Sequence, residues 1–271
     1  MVKAIVVRAP GSNCDAELVR AFKLAGASVE TVHLDKLTSE PQRLGSAGII
    51  GFPGGFSYGD DIASGRIFAA KVREKLYPSL REAVQRGCMM IGVCNGFQVL
   101  VQAGLLPDPC AAGVGDAEPA AAPRQTVAVT DNIGARFVGR WVPVRYEADS
   151  VCEWTAGLGR SQSRDDSDDA WMLPVAHGEG RVVTDPATLA RLRKNGQVAI
   201  RYLDNYNGSM DAIAGLCDPT GRVLGLMPHP ERFLEWNRHP YWTRLAPARR
   251  ERVTPGFQVF INAVERCAAA V

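Results

Sequence analysis

The feature that most constrains the fold is an alternation of short apolar segments with longer amphipathic ones in the first hundred residues. The apolar segments predict four strands, at residues 3–8, 28–34, 48–52 and 89–93. The amphipathic segments predict helices at residues 15–25, 63–86 and 95–103, the first of them capped by Ser12 or Asn13. Because neighbouring parallel strands need a long crossover connection, this order predicts an α/β fold with a doubly wound, mostly parallel sheet. Its functional loops are expected at the carboxyl ends of the strands.

The second half of the chain has a different pattern. Antiparallel or mixed strands are predicted in five segments, the last of them a hairpin, at residues 126–129, 137–146, 172–183, 198–203 and 213–227. Two helices are predicted at residues 186–195 and 256–269, and residues 111–124, rich in Ala, Gly and Pro, predict a loop. We expect one domain over residues 1–271, with an exposed, mobile insertion at 159–170 and an extended C-terminal segment at 233–271.

Composition excludes several classes of partner. The 271 residues are 46% hydrophobic, which suffices for a large core, and the formal net charge is only +2. This charge gives no overall attraction to nucleic acid or to an anionic membrane. No apolar run approaches the roughly 20 residues that span a bilayer, and the N-terminal apolar run is too short for a secretory signal. We therefore predict a cytoplasmic protein that binds no nucleic acid and no membrane.

The cysteines give a further expectation. There are seven of them, without a C-x-x-C pair, at positions Cys14, Cys88, Cys94, Cys110, Cys152, Cys217 and Cys267. An odd number without paired spacing predicts neither a disulfide framework nor a zinc site, so no bound metal is expected. Most of the seven are expected to be small core residues.

One cysteine is set apart by the segment G-V-C-N-G at residues 92–96. Cys94 lies between a predicted strand and a predicted helix, which is the setting of the G-x-S-x-G nucleophile elbow. Side chains at Gly92 and Gly96 would collide with the neighbouring strand and helix in such a turn. The helix N-terminus favours a thiolate, and the N–H of Asn95 is placed to bind an oxyanion. The alternative is a packed cysteine after a buried strand.

A second candidate group lies in V-L-G-L-M-P-H-P-E-R at residues 223–232. A thiolate that attacks an amide needs a proton carrier and an orienting carboxylate. His229 and Glu231 are two residues apart beyond a predicted strand, and the prolines on both sides of His229 hold the segment extended. Both side chains are therefore expected to point to one side. The alternative is a surface histidine and a solvated glutamate in a proline-rich turn.

The third candidate element is the loop F-P-G-G-F-S-Y-G-D-D at residues 52–61, which follows the third strand. Its consecutive glycines allow backbone N–H groups to approach a ligand closely. Gly55 or its neighbour is expected to supply a second oxyanion donor beside Cys94. No G-K-[ST] follows, so the loop is not a phosphate loop. As a plain turn, Gly-Gly is common.

Together these segments resemble a known family. The motifs in question are P-G-G-F-S-Y-G-D at 53–60, G-V-C-N-G-F-Q at 92–98, A-H-G-E-G-R at 176–181, N-G-S at 207–209 and G-L-M-P-H-P-E-R at 225–232. They resemble the glutaminase subunits of phosphoribosylformylglycinamidine synthases, within the class I, triad-type glutamine amidotransferase family and its flavodoxin-like fold. The similarity covers nearly the whole chain in matching order. P-G-S-N-C-D at 10–15 also resembles the family, which places Cys14 near the site without giving it a reaction.

The resemblance implies a glutaminase triad. Cys94 would attack the side-chain amide of L-glutamine, His229 would move protons and Glu231 would orient His229. Gln98 matches the family position that helps to hold the substrate. The released ammonia would pass to a separate synthetase subunit that uses ATP and magnesium to convert formylglycinamide ribonucleotide to the amidine in purine synthesis. A small accessory subunit is also expected, and no cofactor is expected in this chain's own site.

The segments at 111–124, at 159–170 and after Arg232 depart from the family pattern. The last interleaves aromatic residues with arginines, as a nucleic-acid strip would, but the near-neutral charge favours a surface excursion or a protein contact. Three positions are open for His177: facing the glutamine site, facing the synthetase, or packing in the interior. On the resemblance, we expect His177 to have a functional role. His33 and His239 lack supporting partners in sequence and are interpreted as structural.

Two other classes of function compete with a glutaminase. A flavodoxin-like cysteine hydrolase or peptidase that acts on another carbonyl also places a cysteine on an elbow, but it does not require P-H-P-E after a late strand. A binding or regulatory subunit would keep the fold without turnover. Loss of a triad member would support that class, and none is lost here.

Overall fold

The computed structural model describes residues 1–60, 63–110, 122–162, 164 and 168–269. The strands are β1 Lys3–Arg8, β2 Ser28–His33, β3 Ile49–Phe52, β4 Met89–Val93, β5 Val127–Asp131, β6 Val138–Tyr146, β7 Met172–His177, β8 Glu179–Thr184, β9 Val198–Tyr202, β10 Ile213–Cys217 and β11 Val223–Leu226. The helices are α1 Asp15–Leu24, α2 Leu34–Ser39, α3 Arg66–Lys71, α4 Tyr77–Gln85, α5 Asn95–Ala103, α6 Leu158–Gln162, α7 Pro186–Lys194, α8 Pro247–Arg250 and α9 Pro255–Ala268. A π-helical turn, Val72–Leu76, joins α3 to α4.

The main sheet has nine strands in the order β2-β1-β3-β4-β11-β10-β9-β6-β7. The first five strands of this order are mutually parallel, and the remaining pairs are antiparallel. β5 and β8 form a separate two-stranded antiparallel sheet. The predicted α/β class is therefore confirmed, with the antiparallel strands supplied by the second half of the chain.

Strand glycines show that helices cover both faces of the parallel strands. A Cβ on Gly51 of β3 would lie 2.9 Å from the Leu18 side chain of α1. In β4, Ile91 pairs with Gly51, and the next residue, Gly92, pairs with Gly225 of β11. A Cβ on Gly225 would lie 2.1 Å from the Phe97 ring of α5. Successive residues of a strand point to opposite faces, so α1 and α5 lie on opposite faces. This is the doubly wound arrangement that the sequence predicts.

The predicted elements agree best with the structure where an apolar run has clear ends. β4 and α5 have the predicted bounds, and the predicted hairpin at 213–227 is the antiparallel pair of β10 and β11. The predicted strand at 172–183 is wrong as a single element, because the chain leaves β7 at Gly178 and enters the second sheet as β8. The predicted cap of α1 is also wrong. Cys14 occupies the N-cap position, and its side chain makes no capping hydrogen bond.

The predicted insertion at 159–170 is exposed at Arg160, Ser161, Arg164 and Asp169 but not at its two ends. Gly159 and Ala170 are buried, and the segment begins within α6. Gln162 binds the backbone of β6, because its amide nitrogen donates to Val144 O at 2.7 Å and its amide oxygen accepts from Tyr146 N at 2.8 Å. Residues 163 and 165–167 of this prediction, and residues 111–121 of the predicted loop, lie outside the described residues.

The segment after Arg232 begins in the core rather than on the surface. Phe233 is fully buried, and its ring packs edge-on against Trp141 and Trp236 at centroid distances of 5.0 and 5.3 Å. His239 joins this cluster at 5.4 Å from Trp141. The prediction of a surface excursion is therefore wrong for the first residues of the segment, while Trp242 is exposed as expected. None of the helices in the described ranges is long and apolar enough to cross a membrane.

Gly96 supplies a test of the close contact between α5 and β3. A Cβ on Gly96 would lie 2.0 Å from the backbone oxygen of Phe52, which cannot move without displacing β3. We predict that Gly96→Ala lowers the free energy of unfolding by about 2–3 kcal/mol, because strain in a packed interior is not relieved locally. Gly45→Ala is the matched control, since nothing lies within 4 Å of its Cβ position. Denaturant melts that show equal stabilities for the two variants would contradict the close contact.

Candidate active site

The site lies where four neighbouring parallel strands end. β1, β3, β4 and β11 are adjacent in the sheet and run in the same direction, so their carboxyl ends share one edge. The segments that follow these strands carry Cys14, Gly54, Cys94 and His229, respectively. A Cβ on Gly54 would lie 2.8 Å from the His229 ring, 3.3 Å from the Cys14 sulfur and 3.4 Å from the Cys94 Cβ. The four segments therefore meet around one small space, and only glycine at position 54 leaves it open.

Cys94 occupies a strained elbow. It lies between β4 and α5 with φ 52° and ψ −108°, in the region that residues with a side chain rarely adopt. The backbone N–H of Cys94 donates to Leu226 O at 2.8 Å, which ties the elbow to the end of β11. A Cβ on Gly92 would lie 2.5 Å from the Gly96 oxygen, so the predicted need for glycine on both sides of the elbow is confirmed. The turn holds Cys94 at the edge of the sheet, where its Cβ and the His229 ring border the same space.

His229 and Glu231 form a buried pair. Nδ1 of His229 lies 2.6 Å from Oε1 of Glu231, and both side chains are almost completely buried. The predicted orientation of both side chains to one side is therefore confirmed. Burial opposes the charge on the imidazole, but the Glu231 carboxylate and the nearby thiols of Cys14 and Cys94 outweigh it and hold the pKa of His229 well above its ordinary value. The imidazole is therefore charged at neutral pH.

The second polar atom of each side chain in this pair has no hydrogen-bond partner among the described residues. Nε2 of His229 and Oε2 of Glu231 are buried and make no hydrogen bond with the described residues. A buried polar atom without a partner is costly and is uncommon in protein interiors. Nε2 of His229 lies at the sheet edge that also carries Cys94, so this atom is available for proton transfer.

Gln98 and Asn95 link three parts of the site. The amide nitrogen of Gln98 donates to Glu179 O at 2.6 Å, and its amide oxygen accepts from Nδ2 of Asn95 at 3.0 Å. The amide oxygen of Asn95 accepts from Ser57 N at 3.3 Å in the glycine loop. α5, the glycine loop and β8 are thereby held together one turn after Cys94. The N–H of Asn95 belongs to the first turn of α5 and has no partner within the helix.

Gly55 has the backbone conformation that the glycine loop requires. Its φ of 141° favours glycine, and a Cβ there would lie 2.4 Å from Gly11 O and 2.5 Å from Asn13 N. Gly55 therefore packs against the loop after β1, whereas its neighbour Gly54 faces Cys94 and His229. The role of Gly55 or its neighbour as an oxyanion donor stays a prediction.

His177 is held in a polar network at the end of β7. Its Nδ1 lies 3.1 Å from Oδ1 of Asn132, and its Nε2 lies 2.7 Å from the hydroxyl of Tyr206. Oδ1 of Asn132 also accepts from Gly180 N, so it is the acceptor, and His177 carries its proton on Nδ1. The backbone oxygen of Ala176, the preceding residue, lies 3.8 Å from the Cys94 sulfur. The network thus fixes a wall of the site, and Asn132 and Tyr206 are members that the sequence motifs did not identify.

Cys14 lies at the site, and the sequence predicted none of its contacts. It is buried, its N–H donates to Gly54 O at 3.1 Å, and Nη2 of Arg232 lies 2.9 Å from its sulfur. One donor atom each of Cys14, His229 and Glu231 lie within 4.8 Å of one another. The motif P-G-S-N-C-D placed Cys14 near the site, but Arg232 is 218 positions away in sequence and gave no signal of this contact.

The two remaining histidines lie apart from these groups. His33 is exposed at the start of α2, where its Nδ1 accepts from Asp35 N at 3.3 Å. His239 is buried in the aromatic cluster of Trp141, Phe233 and Trp236. These positions agree with the structural interpretation of both residues.

The neutral state of His177 gives a pH prediction. Burial, assisted by the charge on His229, lowers the pKa of His177 from 6.5 to about 4. Between these values the unfolded chain takes up a proton that the folded chain refuses, so stability falls as pH decreases from 6.5 to about 4. We predict that His177 accounts for about 3 kcal/mol of this loss, and that His177→Gln flattens the fall by that amount. Urea melts between pH 7 and 4 measure the difference; parallel profiles for both proteins would contradict a buried neutral His177.

Comparisons with known proteins agree with this geometry. A family model described as a CobB/CobQ-like glutamine amidotransferase domain matches residues 1–267. Phosphoribosylformylglycinamidine synthase subunit PurQ of Dehalococcoides mccartyi is 38% identical over 97% of each chain, and that of Cereibacter sphaeroides is 42% identical over 86% of this chain and 90% of its own. A solved structure, PurLQS from Thermotoga maritima, matches 97% of this chain and 98% of its own with 29% identity and a TM-score of 0.69. The chain therefore belongs to the glutamine amidotransferase family and, within it, to the PurQ subunits of phosphoribosylformylglycinamidine synthase.

Proposed function

We propose that Cys94, His229 and Glu231 form a catalytic triad that hydrolyses L-glutamine to glutamate and ammonia. The observation that carries the proposal is the buried 2.6 Å contact between His229 and Glu231 beside the strained Cys94 elbow. A charged imidazole next to a cysteine favours the thiolate, which is the reactive form. Membership of the family predicts that this triad has glutamine amidotransferase activity.

In the first step, the Cys94 sulfur attacks the side-chain amide carbon of glutamine. A carbon–sulfur bond forms, and the carbonyl oxygen becomes an oxyanion. The N–H of Asn95, at the positive end of α5, and the N–H of Gly55 or its neighbour Gly54 stabilise that charge. His229 then gives a proton to the leaving nitrogen, the carbon–nitrogen bond breaks, and ammonia leaves a thioester on Cys94.

In the second step, the thioester is hydrolysed. His229, now neutral, takes a proton from a water molecule as that water attacks the thioester carbon. The carbon–sulfur bond breaks, glutamate leaves and the thiolate and imidazolium are restored. Glu231 contributes in both steps, because its carboxylate fixes the Nδ1 side of the ring and stabilises the imidazolium.

Gln98 and His177 are proposed to hold the substrate on either side of the thiol. Gln98 lies one turn after Cys94, and its amide is oriented by Glu179 O and Asn95. His177 is neutral and hydrogen-bonded at both ring nitrogens, so it shapes the wall of the site rather than moving protons. The alternatives in which His177 faces a synthetase or only packs predict no effect of His177 variants on glutamine affinity.

We also propose that the ammonia passes to a synthetase subunit. The relatives are subunits of phosphoribosylformylglycinamidine synthase, and the matched solved structure is that of PurLQS. The partner would use ATP and magnesium to convert formylglycinamide ribonucleotide to its amidine, and a small accessory subunit would complete the assembly. This chain would then supply ammonia in the cytoplasm without a cofactor of its own. The alternative of a free-standing cysteine hydrolase or peptidase is not favoured by the family membership.

The triad is tested by substitution and labelling. Cys94→Ser should abolish glutamine hydrolysis without unfolding the protein, because a hydroxyl has nearly the volume of a thiol but far lower acidity. Glu231→Gln should lower turnover by on the order of 10²-fold with little change in apparent glutamine affinity. An electrophilic glutamine analogue should label Cys94 and none of the other six cysteines. Label found mainly on Cys14, or full activity of Glu231→Gln, would overturn the assignment.

The partner is tested by separating the two nitrogen sources. Cys94→Ala combined with the ATP-loaded synthetase should lose amidine formation from glutamine but keep it from ammonium, because the substitution removes only the ammonia source. The wild-type chain alone should hydrolyse glutamine slowly and accelerate when the synthetase binds, since a partner that completes a site gates turnover. Full activity of the isolated chain, with no synthetase bound, would instead support a free-standing hydrolase.

A further inference from the structure

The proposed mechanism leaves one buried thiol of the site without a function. Cys14 ends the loop after β1, and its sulfur borders the same small space as the His229 ring and the Cys94 Cβ, because all three lie near the Cβ position of Gly54. The Cys14 sulfur also lies within 4.8 Å of a ring nitrogen of His229. The site thus holds two free thiols beside one cationic ring.

Cys14 lies beside two cationic groups. Nη2 of Arg232 lies 2.9 Å from the sulfur, and the charged ring of His229 is nearby. Reactive cysteines in proteins occur in electropositive surroundings of this kind. The same guanidinium opposes a metal ion, although donor atoms of Cys14, His229 and Glu231 lie within 4.8 Å of one another. The cluster is therefore better suited to the chemistry of a reactive cysteine than to metal binding.

We propose that Cys14 is a resolving thiol, which forms a reversible disulfide with Cys94 when the site meets hydrogen peroxide. The inference rests on the proposed role of Cys94 as the reactive thiolate. The bond would switch off ammonia release and protect the nucleophile from irreversible oxidation.

The chemistry balances in two steps with peroxide as the oxidant. The Cys94 thiolate attacks one oxygen of peroxide, the oxygen–oxygen bond breaks, and a sulfenic acid forms as one water leaves. The Cys14 sulfur then attacks the sulfenic sulfur, the sulfur–oxygen bond breaks, and the Cys14 proton leaves with that oxygen in a second water as the disulfide closes. Two thiols lose two electrons in total, one peroxide is reduced to two waters, and the protons of the two thiols end on those waters.

Other buried thiols lack the setting of Cys14. Burial raises the pKa of Cys88 to about 12, so that thiol stays protonated and unreactive. Cys88 lies next to the first residue of β4, at the opposite end of the strand from Cys94. Cys88→Ser is therefore a matched control for Cys14→Ser, because each replaces one buried thiol by a hydroxyl of similar size.

The experiment treats the full chain and both variants with an excess of hydrogen peroxide, because a sulfinic acid consumes two peroxides per thiol, and then with dithiothreitol. Peptide mass spectrometry should show a Cys14–Cys94 linkage in the wild-type protein and in Cys88→Ser. In Cys14→Ser, Cys94 should proceed to the sulfinic acid, which dithiothreitol does not reverse. Relative to its own untreated activity, each protein that keeps Cys14 should recover about tenfold more glutaminase activity than Cys14→Ser does.

Two results would overturn the proposal. One is over-oxidation of Cys94 at the same rate in the wild-type protein and in Cys14→Ser, since a resolving thiol must compete with that reaction. The other is a disulfide that links Cys94 to any cysteine except Cys14. Because the linkage is read from peptides, these results do not depend on turnover. A failure of the glutaminase proposal would instead appear as a lack of analogue label on Cys94.

Discussion

The parallel pairing of β1, β3, β4 and β11 is the constraint on which the site depends. It brings the ends of strands from distant parts of the sequence to a single edge, where Cys14, Gly54, Cys94 and His229 meet. The strands pair in one register, and the close packing at the strand glycines leaves little room for that register to shift. A scaffold of this rigidity is needed because the catalytic groups themselves oppose folding. Cys94 is held at a positive φ, and a charged pair of side chains is buried.

The buried pair illustrates how the surrounding structure determines chemistry. An isolated imidazole moved into the interior would lose its charge, because desolvation disfavours the cation. His177 behaves in this way, and burial holds it neutral. His229 is buried to the same degree, but the contact with Glu231 reverses the outcome and keeps it charged. Two histidines at one site thereby obtain opposite protonation states, one suited to proton transfer and the other to shaping the wall.

Much of this arrangement could be predicted from sequence where the signal is local. The bounds of β4 and α5 follow from an apolar run that ends in G-V-C-N-G, and the His229–Glu231 contact follows from the spacing P-H-P-E. Contacts between distant segments could not be predicted. The approach of Arg232 to Cys14 depends on how the end of β11 meets the end of β1, and no periodicity encodes it. The departure of β8 into a second sheet, which the break at Gly178 permits, is likewise decided by the tertiary structure.

The central claim is that the Glu231 carboxylate holds His229 as a cation beside the Cys94 thiol in the resting site. NMR titration of the His229 ring in the substrate-free protein tests this claim most directly. The structure predicts an imidazolium at pH 7 with a pKa well above 6.5, and a clear fall of that pKa in Glu231→Gln. A neutral His229 ring at pH 7 in the wild-type protein, or a titration that Glu231→Gln leaves unchanged, would contradict it.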